Sequence, residues 1–484
     1  MPRILPILPL CAAMMVRPAP AQDNPGARAA IDNTAAMSKQ IADLTALVQK
    51  LQARVDALEG KLGSGNAAGT AAPSSPQSDV SARAQSAKEA SLDAQAAPNG
   101  QTAPATETAN DFNILRGTTL NLYFDGYYGY NFNAPIGRAN LLRAYDVSSN
   151  AFSLSQADLV LENAPDPDHG RRFGFRLDLQ FGQATATLQG NASNEPRPEV
   201  YRNIFQAYGT YVAPIGSGLT IDFGKWASSL GMEGNYGKDQ INYSRSYWYN
   251  FLPFYHTGAR LSYKVNNAIT LNYWITNGTG QTEPFNGYKD ELFGLSLQPH
   301  RNVSWIVNYY LGQEHPDFEY VPGSTQPGLP TLQGIPFEPI PNPANGNLHI
   351  IDTYATWTVT PKLTLAAELD DEIERLLRTS PPARTDGGAA YFRYQLSSKL
   401  AIASRGEWFF DHGGLFTGTT NTLHEATLTF EQKVYDGFLV REEYRRDFAS
   451  RPYFLTDTLG ILKKDQTTAT LGLIWWFGAK KGAW

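Results

Sequence analysis

The sequence has almost no cysteine, and this scarcity excludes several kinds of chemistry. Its one cysteine, Cys11, lies in an N-terminal segment with the features of a secretory signal peptide. Arg3 supplies the positive end, residues 4–16 form the apolar stretch, and the small-x-small pattern of residues 19–21 predicts cleavage after Ala21. The processed chain therefore has no thiol, which excludes disulfides, cysteine metal sites and cysteine nucleophiles.

Long hydrophobic runs are also missing. After the first twenty residues no stretch of about 18 apolar residues occurs, which argues against transmembrane helices. The mean hydropathy is -0.35, yet 12% of the residues are aromatic and only 18% are charged. These values still permit a transmembrane β-barrel, because alternation of apolar and polar residues dilutes the apolar signal of each strand.

Recognisable catalytic and cofactor motifs are absent as well. The sequence contains no His-Glu-x-x-His, no Gly-x-Ser-x-Gly and no phosphate-binding loop, and its seven histidines form no close pair. Residues 166–170 begin like a calcium loop but lack the later ligands, so we interpret them as a turn. We therefore expect a protein that is not an enzyme, has no cofactor, binds no metal and has no nucleic-acid partner.

One cluster of acidic residues is consistent with two interpretations. Five carboxylates follow closely at a predicted strand end: Glu368, Asp370, Asp371, Glu372 and Glu374. Two of them could serve a glycosidase. We favour the other interpretation, a hydrated acidic mouth of a loop.

Alternation of side chains is the dominant pattern after residue 113. In residues 467–477 one face carries Ala, Leu, Leu, Trp and Phe, while the other is small and polar until near its end. In residues 172–181 and 400–408 the face opposite the apolar one carries charges that a water-filled barrel would solvate. We predict the following lumen-facing charges: Arg172, Arg176, Asp178, Arg405 and Glu407.

The connections between these strands predict a barrel. Seven short turns alternate with eight longer loops, which gives fifteen connections and sixteen strands. Short periplasmic turns and long outer loops are typical of outer-membrane barrels. We predict an all-β transmembrane barrel of about 16 antiparallel strands over residues 113–484, in contact with outer-membrane lipid.

The region before the barrel predicts a periplasmic coiled coil followed by a linker. We predict a coiled-coil helix over residues 22–62, because apolar residues recur at alternating spacings of three and four over residues 37–62. The seam residues are Ile41, Leu44, Val48, Leu51, Val55, Leu58 and Leu62. Residues 63–112 have a low-complexity composition that cannot bury a core. A seam of β-branched residues and leucine favours two strands, whereas three barrels packed side by side favour a trimer. We expect a homo-oligomer, with the trimer favoured and the dimer as the alternative.

Four short blocks within residues 224–258 resemble a known family. Gly-Lys at 224–225, Gly-Met-Glu at 231–233, Asn-Tyr-Ser-Arg-Ser at 242–246 and Pro-Phe-Tyr-His-Thr-Gly at 253–258 are similar to the OmpL-like β-barrel porins, the porin-2 family. The resemblance covers residues 113–477 and implies an outer-membrane channel for small solutes, without catalytic residues.

The resemblance also raises a question about the end of the barrel. Barrels of this family usually stop on an aromatic residue that the insertion machinery reads. Here either Phe477 or Trp484 could be that residue, and in the first case residues 478–484 form a tail.

We therefore expect a porin for passive diffusion, in which loop 227–254 folds into the lumen and narrows the pore. Its predicted constriction residues are Lys225, Glu233, Lys238, Asp239 and Arg245, and Tyr243, Tyr247, Trp248 and Tyr249 would pack the loop against the wall. The competing interpretation is that these side chains only brace the loop at the outer mouth. The alternative function is an envelope tether, in which the barrel is an anchor and the coiled coil binds the cell wall or a periplasmic partner.

Overall fold

The sixteen-stranded barrel lies within the residues that the structure describes. A computed structural model describes residues 117–189, 195, 197–321, 324, 327–332, 334–480 and 483–484. The predicted signal peptide, coiled-coil seam and linker lie outside the described residues. Within that part of the chain, no helix has the length and apolar character needed to cross a membrane.

Sixteen antiparallel strands close into one barrel, as the alternation of turns and loops predicted. Closure joins the first strand to the last, with Asn121 opposite Gly478 and Asn131 opposite Thr468. The strands are β1 Thr119–Asn131, β2 Ala151–Asn163, β3 Phe173–Phe181, β4 Ile204–Ala213, β5 Leu219–Ala227, β6 Tyr255–Lys264, β7 Ile269–Thr276, β8 Asp290–His300, β9 Val303–Gly312, β13 Leu348–Thr360, β14 Leu363–Glu374, β15 Ala383–Gln395, β16 Leu400–Asp411, β17 Asn421–Tyr435, β18 Phe438–Ala449 and β21 Asp465–Gly478.

Small elements lie in the loops between barrel strands. A three-stranded sheet between β9 and β13 has the order β10-β12-β11, and β19 pairs with β20 between β18 and β21. These strands are β10 Phe318–Tyr320, β11 Thr331–Leu332, β12 Ile335–Pro339, β19 Phe454–Leu455 and β20 Leu462–Lys463. The helices are short: Gln183–Leu188, Pro198–Tyr201 and Tyr247–Phe251, with 3-10 turns at Ile136–Arg138, Pro167–His169 and Gly237–Asp239.

The two faces of β3 differ in polarity as the sequence predicted. In β3, Phe173 and Phe181 are exposed on the outer face, whereas Arg176 and Asp178 are buried on the inner face. An apolar outer face suits lipid, since side chains of barrel strands alternate between lipid and lumen. Exceptions occur on β18, where Glu442 lies on the outer face between Phe430 of β17 and Leu471 of β21.

Glycine conformation explains how neighbouring strands connect at the end of the barrel that has the short turns. Between β17 and β18 only Asp436 and Gly437 intervene, and Gly437 has a φ of 90°. Glycine adopts this positive φ without steric cost, which suits it to the tight turn. The pairing of β17 with β18 shifts register between Lys433 and Tyr435, next to this turn.

One predicted loop is shorter in the structure. The sequence predicts a strand end and the mouth of a loop at the five acidic residues, but β14 extends to Glu374 and β15 begins at Ala383. The interpretation of the acidic group as a hydrated loop mouth is therefore wrong. Glu368, Asp370 and Glu372 alternate along β14 and are buried on its inner face.

The barrel interior also contains a packed hydrophobic cluster. Trp226, Trp248 and Phe409 belong to its largest buried group, together with Trp274 and Tyr310. Trp248 comes from the loop between β5 and β6, and its ring centroid lies 4.6 Å from that of Phe409 on β16. Part of the lumen is thus filled by side chains, and that loop supplies some of them.

Candidate functional site

The segment 228–254, called here the β5–β6 loop, folds against the inner wall of the barrel. It contains the 3-10 turn Gly237–Asp239 and the helix Tyr247–Phe251. Ser246 caps that helix, because its hydroxyl accepts a hydrogen bond of 3.0 Å from the Tyr249 N–H. A loop without regular structure still needs partners for its backbone groups, and the wall provides them.

Wall carboxylates accept pairs of consecutive backbone N–H groups from the β5–β6 loop. The N–H groups of Tyr243 and Ser244 donate to the two oxygens of Glu443 at 2.7 and 2.9 Å. The N–H groups of Tyr247 and Trp248 donate to the two oxygens of Glu407 at 2.8 and 3.0 Å. Each carboxylate therefore binds one short stretch of loop backbone in a fixed position.

Wall arginines bind the carbonyl groups of the same loop. Arg405 donates to the Ser244 carbonyl at 2.8 Å, and Arg441 donates to the carbonyls of Gly237 and Gln240 at 2.6 Å each. Arg405 is itself paired with Glu425 at 2.6 Å. Both signs of charge on the wall therefore hold the loop.

Tyrosine hydroxyls of the loop add further contacts with wall carboxylates. Tyr243 donates to Asp125 at 2.7 Å, and Tyr247 donates to Asp447 at 2.8 Å. Burial raises the pKa of Tyr243 and Tyr247 and brings the pKa of Tyr249 to about 12, so these phenols stay protonated donors at neutral pH. Tyr243, Tyr247, Trp248 and Tyr249 are all buried against the wall.

Two predicted constriction residues lie on the buried side of the loop. Glu233 pairs with Arg405 at 2.7 Å and accepts the Ser246 N–H at 2.6 Å. Arg245 donates to the carbonyls of Gly234, Asn235 and Tyr243 at 2.7 to 3.0 Å. Both side chains hold the loop in shape through these contacts.

The other three predicted constriction residues have different surroundings. Lys225 is buried on β5, where its ammonium donates to Gln189 at 3.0 Å and lies 3.8 Å from the ring centroid of Tyr255. Lys238 and Asp239 form a neighbouring pair at 2.8 Å in the 3-10 turn of the loop. The structure thus brings Lys238 and Asp239 together and leaves Lys225 in a separate contact with Gln189.

Polar cavities border the loop. One of about 430 Å³ is lined by Lys238, Asp239, Gln240, Arg393, Glu431 and Arg441, among others. Within it, Glu431 pairs with Arg393 at 2.6 Å and with Arg441 at 2.7 Å. A second cavity of about 350 Å³ is lined by residues that include Asp222, Ser229, Arg260 and Asn308. There Arg260 pairs with Asp222 at 2.7 Å.

The predicted lumen-facing charges occupy the inner face in several ways. Arg176 and Asp178 bond to each other at 3.2 Å, and Arg405 and Glu407 bind the β5–β6 loop as described. Arg172 precedes β3 and donates to the Val212 carbonyl at 3.1 Å. All but Arg172 are buried, so they contact protein groups instead of a wide aqueous lumen.

Sequence reasoning missed the charged rows of β17 and β18. On β17 the inner face carries Glu425 and Glu431, and on β18 it carries Arg441, Glu443, Arg445 and Asp447. The signal was available, since these residues alternate with a period of two along each strand.

The residues after β21 turn back to the same loop. Phe477 is exposed on the outer face at the end of the strand. Trp484 packs on Tyr236 with ring centroids 5.6 Å apart, and the Lys238 ammonium lies 4.7 Å from the Trp484 ring centroid. Of the two candidate aromatics, Phe477 is therefore the one on the barrel exterior.

Comparison with known proteins identifies a family. The sequence model of the family described as "Putative beta-barrel porin-2, OmpL-like" matches residues 117–477. A comparison with curated proteins gave no match.

Solved structures of related shape include three outer-membrane proteins. An anion-selective porin from Comamonas acidovorans has 10% identity and a TM-score of 0.47, with 74% of this chain and 99% of that chain covered. OprB of Pseudomonas putida has 13% identity and a TM-score of 0.44, with 75% and 96% covered. OmpT of Vibrio cholerae has 10% identity and a TM-score of 0.45, with 75% and 98% covered. The family match alone carries the assignment.

The loop-binding role of Glu443 gives a direct prediction with a control one residue away. Glu443→Gln removes a buried charge that accepts two backbone N–H groups, so we expect the free energy of unfolding to fall by roughly 1.5–3 kcal/mol. Glu442→Gln removes the same charge from the outer face and should leave stability unchanged or raised. Denaturant unfolding in detergent, followed by tryptophan fluorescence, measures both variants. Equal midpoints for Glu443→Gln and the wild type would show that this carboxylate does not hold the loop.

Proposed function

Because the chain belongs to the OmpL-like β-barrel porin-2 family, and its barrel is that of an outer-membrane porin, we propose that it forms a water-filled channel for passive diffusion of small solutes or ions. The long loops would face the outside, and both ends of the barrel would face the periplasm with the predicted coiled coil. Sixteen strands enclose a lumen wide enough for an aqueous path.

The observation that carries this proposal is the β5–β6 loop inside the barrel, bordered by polar cavities. A barrel of this size needs a narrow section to discriminate between solutes, and a loop held by wall charges provides one. Cavities lined by Lys238, Asp239, Asp222 and Arg260 are polar enough to hydrate a passing solute. A fully apolar plug would exclude water from the same space.

The charges most suited to act on solutes are those that line these cavities. Lys238 and Asp239 contribute opposite charges from the loop, facing Arg393 and Glu431 of the wall. Glu233 and Arg245 act on solutes indirectly, because their contacts set the loop position. Lys225 belongs to the same proposal as a buried side chain of β5.

Planar-bilayer recording tests the channel and its selectivity together. The wild type should give discrete conductance steps. Lys238→Gln and Asp239→Asn should shift the reversal potential in a salt gradient in opposite directions. An ion that passes about 7 Å from a unit charge in water changes its energy by about 0.6 kcal/mol, so each permeability ratio should change about two- to threefold.

The control for these recordings is Glu442→Gln, which removes a charge from the outer face. It should leave the reversal potential where the wild type has it. Inserted protein that never conducts would contradict the channel. If the protein conducts but both loop variants have the reversal potential of the wild type, only the role of Lys238 and Asp239 would be contradicted.

We further propose that the barrels assemble side by side as trimers, with a dimer as the alternative. The support is a row of small residues on the outer face, which pair in register across five strands: Ala355, Ala367, Ala390, Gly406 and Ala426. A flat face lets two barrels approach closely, and Glu442 on nearby β18 would leave the lipid if a subunit covered it. Contact with outer-membrane lipid would remain on the rest of the exterior.

Native mass spectrometry in detergent tests this assembly. The wild type should appear as a trimer, and Ala390→Trp should shift it to smaller species, because the indole projects from the flat face. Phe293→Trp on β8, outside the row, is the matched control and should leave the trimer intact. A monomeric wild type would contradict the assembly, and a trimer unaffected by Ala390→Trp would place the contact elsewhere.

The alternative function, an envelope tether, depends on residues 22–112. About 28 helical residues at about 1.5 Å each would make a rod of roughly 40 Å, and the linker would add reach toward the cell wall. Deletion of residues 22–112 separates the functions. A pure channel should retain its solute uptake with an intact envelope, whereas a tether should lose envelope attachment while uptake stays the same.

A further inference from the structure

Three carboxylates on the inner wall are forced together by strand register. Asp352 of β13 lies directly opposite Asp370 of β14, and Glu368 is the previous inward-facing residue of β14. One carboxylate oxygen from each lies within 4.8 Å of the others. Like charges opposite each other across a strand pair are destabilising, so this arrangement needs a compensating positive charge.

Burial makes that need stronger. Asp352, Glu368 and Asp370 are 0%, 1% and 4% exposed. Among the described residues, no lysine, arginine or histidine forms an ion pair with any of the three. A buried, unpaired carboxylate is costly, because water no longer solvates its charge.

Hydrogen bonds satisfy two of the three carboxylates and omit the third. Asp352 accepts the Gly231 N–H at 2.9 Å and the Asn308 side chain at 2.7 Å. Glu368 accepts the Met232 N–H at 2.7 Å and the Tyr391 hydroxyl at 3.0 Å. Neither side-chain oxygen of Asp370 accepts a hydrogen bond from a backbone group or from an uncharged or cationic side chain, and the group that faces it is the carboxyl of Asp352. Asp370 is thus a buried group whose oxygens remain available beside two other carboxylates.

We propose that Asp352, Glu368 and Asp370 bind a divalent cation, with Ca²⁺ as the preferred ion. Ligands made only of oxygen exclude the nitrogen and sulfur sets that zinc prefers. Mg²⁺ keeps several of its waters and commonly uses one or two carboxylates, whereas Ca²⁺ accepts several carboxylates in flexible geometry.

The ion would also bind the β5–β6 loop to the wall. Gly231 and Met232 belong to that loop, and their N–H groups bond to two of the proposed ligands. A bound cation would compensate the negative charge of the cluster. The carboxylates could then stay ionised and accept hydrogen bonds from the loop. The cation would therefore fix the loop against β13 and β14. This proposal does not depend on conduction through the barrel.

Terbium luminescence provides a direct test on the full chain folded in detergent. Tb³⁺ replaces Ca²⁺ in oxygen sites and is excited through nearby phenols, and Tyr391 donates its hydroxyl hydrogen bond to Glu368. After treatment with EDTA, Tb³⁺ should saturate one site per chain, and Ca²⁺ should displace it more effectively than Mg²⁺. Asp370→Asn should weaken Tb³⁺ binding by about tenfold or more. Mutation of residues that only support metal ligands already lowers metal affinity by about that factor. Glu442→Gln, on the outer face, should bind like the wild type.

A second measurement keeps the proposal testable if Asp370→Asn does not fold. The wild-type chain should unfold at a higher temperature in Ca²⁺ than in EDTA, because the ion binds the folded state. Unchanged unfolding together with no saturable Tb³⁺ signal would overturn the proposal. Saturable Tb³⁺ binding that is equal in a folded Asp370→Asn variant would overturn the assignment of these three ligands.

Discussion

The backbone of the β5–β6 loop imposes the constraint on which the interior depends. An irregular segment inside a barrel carries N–H and C=O groups that no helix or sheet pairs, and leaving them buried without partners is costly. Glu407 and Glu443 accept hydrogen bonds from consecutive N–H groups of this loop, while Arg405 and Arg441 donate hydrogen bonds to its carbonyls. The charges of the inner wall are thus partners for a second layer of chain.

This arrangement explains why so many charged side chains are buried in the barrel. Arg405 lies between Glu233 and Glu425, and Arg445 lies near both Glu425 and Asp447. Buried ion pairs seldom add much stability, because desolvation offsets the attraction between the charges. Their effect here is to specify one position of the loop, since a displaced loop would leave several of these charges without partners.

The two-residue alternation of polar and apolar side chains predicted the barrel well, but it predicted the contacts in the interior poorly. Alternation along each strand is a local property, so the strand count and the inner position of Arg176 or Glu407 could be inferred from neighbouring residues. The contact of Ser244 with Glu443 joins residues far apart in the chain, and no local pattern encodes it. The acidic residues of β14 illustrate the failure: they were predicted to be hydrated, but Glu368, Asp370 and Glu372 are buried, and Met232 of the loop donates its N–H to Glu368.

The same contacts that hold the loop also determine what a solute would meet. Arg260 is paired with Asp222, and Glu431 with Arg393 and Arg441, so each cavity presents dipoles and small charge clusters instead of one uniform sign. Such a path would discriminate by the orientation and hydration of a polar solute more than by its net charge. Because Arg441 binds both Glu431 and the carbonyls of Gly237 and Gln240, movement of the loop would alter the cavity lining at once. If solutes pass through the barrel as proposed, their passage would therefore be coupled to loop stability through single side chains.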